Sequence, residues 1–164
     1  MTDKKELIWQ LIGAFRDASN QDGAIEALAA RRLGISPADL RCLNVIQNAV
    51  AGPAVGGLTA GELAREVGVT TGAVTGALDR LESAGYAERR VDPADRRRIR
   101  LTITPYFLER AEAIWAPLAA DWQRRLGARF TAAELATIVE FLELTGEIGG
   151  EHRDRLAEEG RDPH

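Results

Sequence analysis

The sequence predicts a mainly α-helical chain with one small β-hairpin, 164 residues in all. Three observations carry that expectation. Apolar residues recur at three-to-four spacing through most of the chain, as amphipathic helices require. The period changes to two once, in Arg98-Ile99-Arg100-Leu101-Thr102-Ile103-Thr104, the mark of a half-buried strand. Directly before that change stand two short helical segments joined by a glycine turn. Short helix, tight turn, second helix and β-hairpin make a winged helix-turn-helix, here flanked by N- and C-terminal helices.

Each element has its own signal. In residues 5–32, Leu7, Ile8, Leu11, Ile12 and Phe15 form a broad apolar stripe; Asn20 to Gly23 interrupt it, and Ile25, Leu28, Ala29 and Leu33 resume it up to Gly34. Ser36-Pro37-Ala38-Asp39 starts a helix: serine as N-cap, proline at the first position, an acid in the positive first turn. It runs through Leu40, Leu43, Val45 and Ile46 to Val50, and AGPAVGG (51–57) is a breaker loop. Thr59-Ala60-Gly61-Glu62 is a capping-box pattern heading Leu63, Ala64 and Val67, and Gly68 ends that helix. Thr70 or Thr71 caps the next one, whose Val74, Leu78 and Leu81 point inward until Gly85 stops it.

Glu88 to Val91 is the partner strand, joined to the alternating one by Asp92-Pro93-Ala94-Asp95, with proline where a turn wants it. Pro105 opens a helix through Phe107, Leu108, Ala111, Ile114, Trp115, Leu118 and Trp122, with a kink expected at Pro117. A last capping box, Thr131-Ala132-Ala133-Glu134, heads Leu135, Ile138, Val139, Leu142 and Ile148; from Glu147 the tail is polar, acidic and frayed. The expected organisation is one compact domain. It has N-terminal dimerisation helices in 1–34, the winged unit in 35–104, a long linker helix and C-terminal dimerisation helix in 105–150, and a polar tail in 151–164.

Charge separates one segment from the rest. The chain has a net charge of -4, yet 86–104 holds six arginines (89, 90, 96, 97, 98, 100) against Glu88, Asp92 and Asp95, a net of +3 that leaves -7 elsewhere. An acidic protein can still hold a polyanion through such a local patch. With Val74, Leu78 and Leu81 inward, the outward residues of the second helix are Thr71, Gly72, Ala73, Thr75, Gly76, Asp79 and Arg80. In such units this helix enters the major groove. Small residues at 72, 73 and 76 let the backbone approach closely, and Thr71 and Thr75 can bond a phosphate or a base edge. Long side chains for bidentate base reading are few, so phosphates and the hairpin should supply much of the affinity.

Other chemistries find little support. Cys42 is the only cysteine, which excludes an intrachain disulfide and reads as a small core residue rather than a redox sensor. His152 and His164 lie in the tail without a cysteine partner, so no metal site is expected. No phosphate loop, nucleophile elbow or metal motif is present, which argues against an enzyme and against a cofactor. No apolar run reaches bilayer length and the N-terminus lacks a signal layout, so a cytoplasmic, nucleoid-associated location without membrane partners is expected.

The stretch GELAREVGVTTGAVTGALDRLESAGYAERRVDPADRRRIRLTIT resembles the MarR family of bacterial transcriptional regulators. The hairpin matches the family pattern Asp-x-Arg-x-x-x-aliphatic-x-aliphatic-Thr through Asp95, Arg97, Leu101, Ile103 and Thr104. The helix matches through Val74-Thr75, Asp79-Arg80-Leu81-Glu82 and Gly85, and the flanking helices also sit where the family has them. The resemblance implies a homodimer that binds a pseudo-palindromic operator in double-stranded DNA, as a repressor released by a small-molecule effector. The recognition helix would supply Thr70, Thr71, Gly72, Ala73, Thr75, Gly76 and Arg80. The wing would supply Asp95, Arg96, Arg97 and Arg98, with Arg97 reaching into the minor groove and Asp95 fixing it.

A dimer also has support from composition, because the apolar end helices exceed what a winged unit can cover; Leu7, Ile8, Leu11, Leu135, Ile138 and Leu142 are the expected interface. By the same resemblance Phe15, Leu43, Tyr106 and Trp115, with Trp9 and Trp122, are the candidate pocket for an aromatic effector. Two departures from the family stand out: the 51–57 loop is long, and Gly76 replaces what is often a longer polar residue. The alternative to DNA binding is a winged protein-interaction module, which would have no need of the arginine cluster.

Overall fold

The computed structural model describes residues 3–51, 57–92 and 95–159. In chain order its elements are α1 (Lys4–Leu33), α2 (Pro37–Ala51), α3 (Ala60–Val67), α4 (Thr71–Ser83), β1 (Ala87–Val91), β2 (Ile99–Ile103), α5 (Pro105–Arg129) and α6 (Ala132–Glu159). The mainly helical architecture with one hairpin is the predicted one. Contacts divide the chain into two compact units, Met1–Trp115 and Ala116–His164, where the sequence suggested a single domain. The reason lies in α5: its buried residues are Phe107 and Ala111, both in its first two turns.

The first unit contains the hydrophobic core. Leu40, Leu43 and Ile46 of α2 meet Leu63 of α3, Val74, Leu78 and Leu81 of α4, Leu101 of β2 and Phe107 of α5, all essentially without solvent exposure. These are the inward stripes that the helical spacing predicts. Tyr86, between α4 and β1, is buried too; its hydroxyl donates to the Leu33 carbonyl at 2.8 Å, satisfying one orphan acceptor at the C-terminal end of α1. α1 itself buries only Ala29, Ala30 and Leu33. Asn20 to Gly23 interrupt its stripe but not its helix.

The hairpin is antiparallel, with Ala87 opposite Ile103 and Val91 opposite Ile99. Leu58 adds a bridge to Leu101, so the segment before α3 forms a third edge of the wing. Gly57 makes that approach possible, since its φ is +82° and a Cβ there would lie 2.3 Å from the Leu101 carbonyl oxygen. Pro93 and Ala94 of the predicted turn, and most of the 51–57 loop, lie outside the described residues.

The second unit contains the rest of α5 and α6. α5 continues as one helix across Pro117. The capping box that opens α6 is formed: Thr131 N–H donates to Glu134 Oε2 at 2.8 Å, and Glu134 N–H to Thr131 Oγ1 at 3.3 Å. The tail differs from expectation. Where fraying was expected from Glu147, α6 runs to Glu159, because Glu151 to Glu159 are mostly good helix formers that continue the turn. α6 has no buried residue.

Candidate nucleic-acid interface

α3 and α4 are built by local rules. Thr59 caps α3 in a full capping box with Glu62. At the other end Gly68, at φ 78°, takes the left-handed conformation that closes the tight turn; Gly68 N–H and Val69 N–H both donate to the Ala64 carbonyl at 3.0 Å. Thr70 caps α4, its Oγ1 accepting from Ala73 N–H at 3.2 Å. Thr70 thus has a structural duty at the helix mouth, whatever else it touches.

On α4, Val74, Ala77, Leu78 and Leu81 are buried, while Thr71, Gly72, Ala73 and Thr75 are exposed and Gly76 is half-buried. Thr75 donates its hydroxyl to the Thr71 carbonyl at 2.9 Å, so its free valences are oxygen lone pairs and a methyl group. The exposed face is small, hydroxylated and close to the backbone.

The six arginines of 86–104 have different fates. Arg89 bridges β1 to α4, paired with Glu82 and, at 2.9 Å, with Asp79. Arg90 pairs with Glu88 on its own strand. Arg98 donates to Glu62 Oε1 at 3.2 Å. Arg100 is turned inward: it donates to Asp92 Oδ2 at 2.8 Å and to the Gly57 carbonyl at 2.8 Å, and lies 3.5 Å from Glu62 Oε2. Asp92 is one of two buried acids among the described residues, and Arg100 accounts for it.

Two arginines remain outward. The Arg97 side chain is 94% exposed, with Nε 3.5 Å from Asp95. The Asp95 carboxylate accepts the Arg97 backbone N–H at 3.0 Å and its carbonyl accepts the Arg98 N–H at 2.8 Å, so Asp95 shapes the tip from which Arg97 projects. Arg96 is exposed and makes no ion pair with another described residue. The positive segment therefore presents its most exposed described cations at the hairpin tip.

The other buried acid is Asp39, in the first turn of α2. It accepts Arg80 Nε at 3.1 Å and Arg80 Nη2 at 2.6 Å, a two-pronged pair linking α2 to α4. Burial pushes its carboxyl up, but the hydrogen bonds from Arg80 and Ser36 outweigh that and hold it below the ordinary value. Glu62 is also lowered, by the Thr59 backbone and hydroxyl first and by Arg100 and Arg98 after that. Sequence reasoning missed the partners of these acids. Asp39 and Arg80 are 41 positions apart, and no local pattern marks such a pair. Glu62 was visible as a capping residue but not as the acceptor for the wing.

The remaining predicted residues are placed as follows. Leu7, Ile8, Leu11, Ile138 and Leu142 are exposed and Leu135 is half-buried. The candidate effector pocket needs correction at Leu43, which has no exposed surface because it fills the core between α2 and its neighbours. Tyr106 is half-exposed and stacks on Tyr86 with ring centroids 5.7 Å apart, and Trp115 packs against the core. Cys42 is buried, and burial followed by the Asp39 charge pushes its thiol up, away from the reactive thiolate. His152 is an exposed residue of α6, and His164 lies outside the described residues. Among the described residues no group of His, Cys, Asp or Glu could hold a metal, and no helix is long and apolar enough to cross a membrane.

Comparison with known proteins agrees with this geometry. A family model described as MarR family matches residues 33–98. YcgE of Bacillus subtilis (strain 168), an uncharacterised transcriptional regulator of helix-turn-helix type, is 32% identical over 153 residues, covering 93% of this chain and 95% of that protein. Wild-type MarR from E. coli, in its apo form, is 26% identical with a TM-score of 0.53, over 81% of this chain and 95% of that one. A mutant MarR from E. coli complexed with operator DNA is 26% identical with a TM-score of 0.53, over 88% and 99% of the two chains. With the family model over the winged unit and a relative 32% identical along nearly the whole length of both chains, this chain belongs to the MarR family of transcriptional regulators.

Proposed function

We propose that this MarR-family regulator, which is not an enzyme, binds a pseudo-palindromic DNA operator as a homodimer. The exposed mouth of α4 enters the major groove and the wing tip follows the backbone into the adjacent minor groove. The observation that carries the reading is the contrast within 86–104: Arg89, Arg90, Arg98 and Arg100 are held by Asp or Glu, while Arg96 projects from the tip and Arg97 stays 94% exposed despite its 3.5 Å contact with Asp95. A guanidinium suits the negative potential of a narrow minor groove. The exposed stripes of Leu7, Ile8 and Leu11 on α1 and of Ile138 and Leu142 on α6 support the dimer. Two-fold symmetry would set the recognition helices about 34 Å apart, one turn of DNA. Repression by occupying the operator, and release by a small aromatic effector, are the part of the reading that family resemblance supports.

Gel-shift titration with the DNA upstream of its own gene tests the proposal. Arg97→Ala should weaken binding strongly and lower the salt slope by about one unit for each wing. Unchanged affinity and slope would refute the assignment of the wing. Absence of any shift with the wild-type protein would favour a protein-interaction module.

A further inference from the structure

Two buried acids each hold an arginine at this surface, and the two arginines end up differently. The Arg100 side chain is 20% exposed, and both edges of its guanidinium are occupied, by Asp92 on one side and by the Gly57 carbonyl and Glu62 on the other. Its role is to seat the wing. The Arg80 side chain is 61% exposed although Asp39, at 4%, grips it with both oxygens. One edge, Nε and Nη2, is occupied; Nη1 has no hydrogen-bond or ion-pair partner among the described residues. A clamp on one edge that leaves the other open is the geometry of a presented cation.

The position of that open edge is informative. Ala73, Gly76 and Arg80 follow i, i+3, i+7, one flank of α4. A Cβ on Gly76 would lie 3.6 Å from Arg80 Nη1, so the guanidinium leans back over Gly76 toward the N-terminal mouth of the helix. A helix about 10–12 Å across nearly fills a major groove about 12 Å wide, so its flanks face the phosphate walls rather than the base edges. A packing role alone gives little reason to bury an acid, since an apolar pair of similar volume usually serves as well. Holding one edge of a guanidinium in place gives a reason.

We infer that Arg80 contacts a DNA phosphate through its free edge and that buried Asp39 is a positioning residue that presents it. This rests on the DNA-binding reading above. Arg80 thereby serves as a backbone anchor, which fits a recognition face otherwise made of small residues.

The test uses full-length protein and a duplex that the wild type selects from random-sequence DNA, titrated by fluorescence anisotropy across a salt series. Arg80→Gln should lower the slope of log K against log salt by about 0.9 for each protomer. Arg80→Lys keeps the charge but cannot form the two-pronged pair; it should retain the slope and bind about tenfold more weakly, the rotamer freedom of a released cation. Asp39→Asn should behave like Arg80→Lys, which covers the case in which the Asp39 variant does not fold. A wild-type slope in Arg80→Gln overturns the phosphate contact. Wild-type affinity in Arg80→Lys overturns the clamp. Failure of the wild type to select any duplex removes the DNA-binding reading and this inference with it, an outcome distinct from the other two.

Discussion

Gly57→Ala offers a sharp test of how the wing is seated. Gly57 lies at the end of the loop before α3, with φ +82°, and a Cβ there would stand 2.3 Å from the Leu101 carbonyl oxygen. Ordinary contact requires about 3.5 Å, so the strand or the loop must retreat by about 1 Å. Two hydrogen bonds depend on the present spacing: Leu101 N–H to the Leu58 carbonyl at 2.7 Å, and Arg100 Nη1 to the Gly57 carbonyl at 2.8 Å. Placing a Cβ in left-handed backbone costs about 1–2 kcal/mol. Each weakened hydrogen bond adds about 1 kcal/mol, and more where a charged donor is involved. The expected loss is therefore about 3–4 kcal/mol, read as a lower urea midpoint with unchanged slope. Operator affinity should fall as well, because the displaced strand carries the wing. A Gly57→Ala protein within about 0.5 kcal/mol of wild type, the usual range for an inconsequential surface change, would refute the claim that this glycine seats the wing.

Two further predictions follow from exposure and from the buried pair. Leu142→Glu places a charge on the exposed apolar face of α6; if that face is a dimer interface, burying the charge costs about 3 kcal/mol or more, so association should weaken at least about 100-fold, with a monomeric mass in sedimentation. The Asp39 carboxyl is held below its ordinary value, so its contribution to stability is present above the unfolded value of about 3.9 and is lost as pH falls through the lower folded value. The stability difference between wild type and Asp39→Asn should therefore be constant at neutral pH and shrink below about pH 4 in urea titrations. A difference that grew on acidification would contradict the Arg80–Asp39 pair.

The secondary structure was legible because it is a local property. Ser36, Thr59, Thr70 and Thr131 each accept the backbone N–H that their N-cap position demands. Val74, Leu78, Leu81 and Leu101 point inward as their periods require. The one clear local failure was the tail, where a polar, acidic composition from Glu147 suggested fraying although its residues favour a helix. The candidate site was legible only as a set of residue types. That arginines crowd 86–104, and that small and hydroxyl residues face outward on α4, can be read from one dimension.

The allocation of charge belonged to tertiary structure. Whether an arginine is free depends on which acid lies within about 3 Å, and at that range direct pairing dominates long-range charge counting. Folding brought Glu62 to Arg98, Asp92 to Arg100 and Asp39 to Arg80, across separations of 36, 8 and 41 residues. It left Arg96 and Arg97 at the tip and opened one edge of Arg80. The sequence by itself determined the helices, the hairpin, the inward stripes and the family, since each depends on neighbours a few residues apart. Only the packed structure decided which cations remain available to a partner, because an ion pair is a matter of distance in space and not of spacing along the chain.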